Sequence, residues 1–294
     1  MLDIPLNVLL MQAVIGLALG AVFVLLASGL SFIYGLMDVV NFAHGVFYML
    51  GAYVVFAVAS LTGNFWVAAL VSVVSVALLG TVTEVTLLRP LHKRNNPLYA
   101  LLLTFGLSLG LPDVVKMIFG LTGQPVEYPS SLMGSFLVGS VIVPKYRLFV
   151  IVFTFTVLIA LWLFLKKSSL GMILRATTRD KLMVDALGVN VSRVLTVGFT
   201  LGIGLAALGG AIAAPMVAVE PNMGISMIMQ SFVVTVVGGL GSLGGAIVGG
   251  IVIGQVVSFT SLFAGEYADV AIYFAMALIL LVRPRGLFGE IGRE

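Results

Sequence analysis

No cysteine occurs among the 294 residues, which excludes disulfides, thiolate catalysis and cysteine-ligated metal. Charge is nearly as scarce. Asp, Glu, Lys and Arg together make up 9% of the chain, where a soluble domain carries about 25%. So little charge cannot cover a surface that faces water. Histidine is limited to His44 and His92, and there is no HExxH pair and no Walker lysine. Neither enzyme nor metal chemistry is expected, and no cofactor. No acid stands near the middle of an apolar span, which weakens the case for a proton- or sodium-driven carrier. With no nucleotide site of its own, the chain could use ATP only through another subunit.

What fills the sequence instead is hydrophobic: 61% of all residues, with a mean hydropathy of +1.20. The apolar runs are long and continuous rather than alternating over about ten residues, so helices and not a barrel are indicated. The expected fold is all-α, a polytopic helical membrane protein with one transmembrane domain over 1–294. Its length suits about eight spans of about 20 residues, some of them broken or re-entrant. The net charge of +3 follows membrane topology and gives no reason to expect nucleic acid. Asp3 precedes a long apolar run without Lys or Arg, so no cleavable signal peptide is expected.

Three basic regions, 89–94, 166–193 and 283–293, mark the inner face by the positive-inside rule. The first span runs from about Val8 to Tyr34. In GLMDVVNFAHGVFYMLGAY, 35–53, the polar residues Asp38, Asn41 and His44 interrupt apolar sequence, with Gly45 next to them. The gap is too short for a free loop, so a tight turn or broken helix is expected. If 35–61 crosses fully, the N-terminus is outside; if it is re-entrant, inside. Gly63 and Asn64 mark a turn, and a span from Phe65 to Leu88 follows. Glu84, one turn inside its end, is placed to pair with Arg89. Pro112 should kink or end the span from Leu98 to Phe119. Residues 120–147 should lie outside, with strand-like pieces near 135–143, and a fifth span covers Leu148 to Leu165.

The stretch 166–193, KKSSLGMILRATTRDKLMVDALGVNVSR, is the longest charged segment. Apolar Ile173, Leu174, Leu182, Met183, Ala186 and Leu187 recur in it at roughly helical spacing, and Gly188 is a natural stop. It predicts one or two short amphipathic helices, with Lys181 and Asp185 able to pair on one face. It is either a basic loop that fixes orientation or a docking element for a cytoplasmic partner. A sixth span, Val194 to Val219, is rich in small residues. Gly224 to Phe263 then carries a run of glycines from Gly238 to Gly254. That region is either two spans joined by a minimal turn near Gly241 to Gly244, or a re-entrant hairpin and one span. The last span covers about Val270 to Val282.

Three ordered pieces resemble one family. GLSFIYGLMDVVNFAHGVFYMLGAY (29–53), GMILRATTRDKLMVDALGVN (171–190) and VVTVVGGLGSLGGAIVGG (233–250) are similar to the permease subunit of bacterial branched-chain amino acid ABC importers, the LivH type. One departure is local: Leu182-Met183-Val184 follows Lys181 where the family often has Glu-Ala-Ala or Glu-Met-Ala.

The resemblance implies a multi-pass subunit of the bacterial cytoplasmic (inner) membrane. Its implied partners are a related LivM-type permease, two cytoplasmic ATPase subunits and an extracytoplasmic solute-binding protein. Arg175, Arg179, Asp180, Asp185 and Gly188 would belong to the ATPase coupling segment. Asn41, His44, Gly45, Gly241 and Gly244 are candidates for the translocation path and its helix breaks. The cargo implied is a branched-chain or other small amino acid, with urea or a short amide as the alternative. An ion-coupled secondary carrier is the competing class.

Overall fold

The computed structural model describes residues 5–92, 96–139 and 141–289. Lys93, Arg94 and Arg293, counted above among the basic regions, lie outside the described residues. α1 (Leu6–Met37) runs for 32 residues, or about 48 Å at 1.5 Å per residue, longer than a bilayer core. α2 (His44–Thr62) and α3 (Phe65–Thr83) are separated only by Gly63 and Asn64. Gly63 takes φ 66, and the Asn64 side chain accepts from the N–H groups of Trp66 and Val67, capping α3. α3 continues through a π-helical turn, Glu84–Leu88, into α4 (Arg89–His92).

α5 (Pro97–Phe119) continues through Pro112 rather than ending there. The outer segment holds a short antiparallel pair, β1 (Ser135–Val138) and β2 (Val141–Pro144), in register from Ser135↔Pro144 to Val138↔Val141. α6 (Lys145–Lys167) leads into two short helices, α7 (Ser169–Arg179) and α8 (Lys181–Ala186). α9 (Val191–Ala213) stops before Pro215, short of the expected Val219. α10 (Met223–Gly238), α11 (Leu243–Ala264) and α12 (Ala268–Val282) complete the chain.

Among the described residues, seven helical segments are long and apolar enough to cross a membrane, where about eight were expected. The difference lies in the last third. The segment Leu243–Val282 counts once but reverses at 265–267, and α10, with 16 residues, is too short to count. That α12 returns to the level where α11 began is shown by the chain after it. The N–H groups of Leu287 and Phe288 donate to the carbonyls of Val237 and Gly238 at 2.8 and 2.9 Å. The C-terminal RPRGLFG therefore caps the last turn of α10, supplying donors to carbonyls that a helix end leaves orphaned.

α1 is the axis of the bundle. Its small face packs antiparallel on α11, and glycine is required where the backbones meet. A Cβ on Gly254 would come within 2.5 Å of the Gly20 Cα and of the Gly16 carbonyl oxygen. Gln255 and Ser258 of α11 add hydrogen bonds to the carbonyls of Ala13 and Gln12. The opposite end of α1 reaches α7, α8 and the turn between α10 and α11. The positive-inside rule puts α7 and α8 in the cytoplasm, so α1 begins on the outer side. Tyr128, Tyr146, Phe149, Phe65 and Trp66 form an aromatic cluster at that outer end, where amphipathic rings favour the interface.

Candidate translocation and coupling sites

The break between α1 and α2 is built by three polar residues. Asp38 ends α1 in the left-handed conformation (φ 56, ψ 25), with its N–H on the Tyr34 carbonyl. Among the described residues it is the one non-glycine with positive φ. Asn41, 3% exposed, turns the chain back: its side-chain oxygen accepts from the Ala43 N–H at 3.1 Å, and its carbonyl accepts from the His44 N–H. His44 is fully buried, and its Nε2 lies 3.0 Å from the Leu26 carbonyl of α1. A carbonyl can only accept, so Nε2 carries the proton. Asn41 Nδ2 and His44 Nδ1 are buried without a partner among the described residues. The break thus spends one polar atom of each residue on structure and leaves the other uncommitted.

Gly45 is a contact rather than a lining residue, since a Cβ there would meet the Gly224 carbonyl of α10. Beside it, Phe42, Val46, Phe105, Leu109, Ile225 and Ile228 line an apolar pocket of about 100 Å³.

Gly241 and Gly244 do not join Asn41 and His44. Gly241 lies in the α10–α11 turn and Gly244 in the first turn of α11; at the cytoplasmic end of α1, a Cβ on Gly35 would lie 3.8 Å from the Gly241 carbonyl oxygen and 3.9 Å from Thr178 of α7. Gly241 needs its positive φ of 79, whereas a Cβ at Gly244 would meet nothing within 4 Å. Ser242 caps α11 by accepting from the Gly245 N–H at 3.0 Å. Gly238 and Gly245 pack backbone to backbone across the turn.

The cytoplasmic segment folds into two helices with distinct faces. Gly171, Leu174, Thr177 and Val184 turn inward. Outward stand Met172, Leu182, Met183 and Leu187, with Leu182 84% and Leu187 75% exposed. Arg175, Arg179, Asp180, Asp185 and Gly188 share that exposed surface. Asp180 also caps α8, accepting from the Met183 N–H at 2.9 Å, and Gly188 closes it at φ 82. The Lys181–Asp185 pair expected from spacing does not form. Lys181 instead donates to the Asp38 carboxylate at 2.6 Å, across 143 residues of chain. The geometry wins because α8 lies beside the end of α1.

Glu84 is 1% exposed and pairs with Arg89 at 3.4 Å, as its position suggested. The reading from spacing missed its second partner, the Thr196 hydroxyl of α9, which donates to it at 2.6 Å. Thr196 also accepts from Arg89. No local signal links positions 112 residues apart. Gly106-Leu107-Ser108-Leu109-Gly110 has the Gly-x-Ser-x-Gly spacing of a nucleophile elbow. It lies within continuous α5, however, and Ser108 gives its hydroxyl to the Phe105 carbonyl. No strand-to-helix turn presents it.

A bundle of apolar helices with a buried break, a glycine-packed axis and a water-facing helical pair at one end defines a polytopic membrane transport subunit. Comparison with known proteins gives the family. The model of the branched-chain amino acid transport system/permease component family matches residues 12–282. The LivH high-affinity branched-chain amino acid permease of Escherichia coli K12 is 32% identical over 297 aligned positions, covering 96% of each chain. BraD of Pseudomonas aeruginosa is 30% identical with the same coverage. A probable LivH permease of Methanocaldococcus jannaschii is 30% identical over 90% of this chain and 88% of its own. The chain belongs to the branched-chain amino acid transport permease family, LivH/BraD type. It is a multi-pass permease of the inner membrane and a component of an ABC transporter complex, not an enzyme.

Proposed function

We propose that this chain is the translocating subunit of an importer for branched-chain or other small amino acids, driven by ATP hydrolysis on partner subunits. The observation that carries this reading is the outward face of α7 and α8. Met172, Leu182, Met183 and Leu187 stand exposed beside Arg175 and Arg179 on a segment too charged to lie in lipid. Exposed apolar side chains rimmed by charge mark a protein contact, and a cytoplasmic ATPase is the partner that such a transporter needs there. Arg175, Arg179, Asp180, Asp185 and Gly188 then form the docking segment. Asp180 and Gly188 shape it, and the two arginines and Asp185 meet the partner.

On this reading 1–294 is one transmembrane domain that pairs with a LivM-type permease, binds two ATPases and receives cargo from an extracytoplasmic binding protein. Asn41 and His44, each with a buried polar atom to spare, border the path of a neutral zwitterion. Gly45 sets the close approach of α2 to α10 and Gly241 the turn before α11, with Gly244 in open space beside it, so that helices can shift around the path. Urea or a short amide suits the same Asn41 and His44 side chains. An ion-coupled carrier would use a buried acid. The buried acid here, Glu84, is already held by Arg89 and Thr196.

The test is charge reversal. Arg175→Glu with Arg179→Glu should leave membrane insertion intact while the ATPase no longer co-purifies and uptake stops. Normal co-purification and uptake would overturn the docking assignment.

A further inference from the structure

We propose that Asp38 and Lys181 form a latch that transmits movement of α7 and α8 to the helix break, a role that rests on the docking reading above. The ion pairs Glu84–Arg89 and Asp113–Lys116 join near neighbours in sequence, whereas Lys181–Asp38 joins segments 143 residues apart. Its two ends are mechanically placed. Lys181 is the first residue of α8, directly after the capping Asp180. Asp38 is the last turn of α1, three residues before Asn41, which folds the chain back toward His44. Displacing α8 therefore pulls on the residue where α1 ends and the break begins.

Backbone geometry supports the same assignment. An αL residue at a helix C-terminus is ordinarily glycine, yet Asp occupies it here with its carboxylate on Lys181. Both side chains are partly exposed, 36% for Lys181 and 65% for Asp38. Such a pair is screened and adds little to fold stability. It is weak enough to open and re-form in each cycle, whereas the Glu84–Arg89 pair is anchored on a buried carboxylate. Beside it the end of α1 runs close to α7 and to the α10–α11 turn: a Cβ built on Gly35 would lie 3.9 Å from Thr178 and 3.8 Å from the Gly241 carbonyl oxygen. That closeness gives α7 a bearing surface on α1, while the ion pair gives α8 a direction of pull.

The experiment uses the complete transporter in proteoliposomes and measures substrate imported per ATP hydrolysed. Asp38→Asn and Lys181→Gln should each lower that ratio roughly two- to fivefold, the change that loss of a partly exposed pair converts to. The ATPase should still co-purify, and Lys181→Arg should retain the ratio. Asp38→Gly separates charge from backbone, since it suits φ 56 better than Asp while removing the carboxylate. The latch requires it to behave as Asp38→Asn does. An unchanged ratio in Asp38→Gly or Asp38→Asn overturns the latch. Loss of the ATPase from the Asp38→Asn complex also overturns it, by making Asp38 part of docking. Failure of the docking reading would show separately, as normal co-purification in the Arg175→Glu, Arg179→Glu complex.

Discussion

At Asn41 and His44 a single side chain both shapes the backbone and faces the interior. His44 holds the start of α2 to α1 through the Leu26 carbonyl. His44→Ala removes that second bond to a carbonyl already paired within α1, which costs about 0.5–1.5 kcal/mol, so a lower thermal-inactivation midpoint in detergent is expected. Asn41→Asp retains the side-chain oxygen that accepts from Ala43, so the turn is kept, at some cost in folded protein for a buried carboxyl. It should still cut uptake, since it places a charge where a zwitterion passes. Uptake at the parental rate, with normal abundance, would remove Asn41 from the path. Glu84 belongs to a different class. It neutralises Arg89 and receives Thr196, and Glu84→Ala leaves a half-covered guanidinium without its counter-charge. A loss of folded protein on size-exclusion chromatography is the expected result, with coupling unaffected in whatever folds.

Among the elements, glycine has two uses that the sequence pattern does not separate. Gly20, Gly250 and Gly254 allow α1 and α11 to touch through their backbones. Gly254→Val should abolish assembly, because the clash is with backbone that cannot swing aside. Gly241 has space problems of another kind: its φ of 79 suits no other residue well, and Gly241→Ala should cost about 1–2 kcal/mol. Gly244→Ala is the mild change, with open space around its Cβ. If the α10–α11 turn gates transport through its closeness to the end of α1, Gly244→Ala should leave assembly and uptake near normal. Gly241→Ala should then slow uptake in complexes that still form, and equal uptake in the two would leave the turn a packing role alone.

The approximate limits of the first five spans, the turn at Gly63, the strands near 135–143 and the stop at Gly188 could be read from composition and turn residues, because each depends on near neighbours. The partners of Asp38 and His44, and the second partner of Glu84, could not. They lie 18 to 143 residues away and depend on how the helices cross. The Gly-rich segment was ambiguous for a similar reason. Whether α10 is a full span or a short return depends on the C-terminal RPRGLFG capping it, and no periodicity reports that.

For the molecule as a whole, α1 connects the elements that matter. Its outer half is fixed to α11, its middle carries His44, and its inner end meets α7, α8 and the α10–α11 turn. An ATPase that moves the cytoplasmic helices therefore acts on the break through the end of one helix. The energy source is the claim on which everything else depends. It is tested by uptake of radiolabelled leucine into proteoliposomes holding the complete transporter and its binding protein. Uptake should require ATP inside the vesicles, cease with vanadate and persist when ionophores collapse the proton and sodium gradients. Uptake that survives ATP depletion and vanadate but stops with an ionophore would contradict the account.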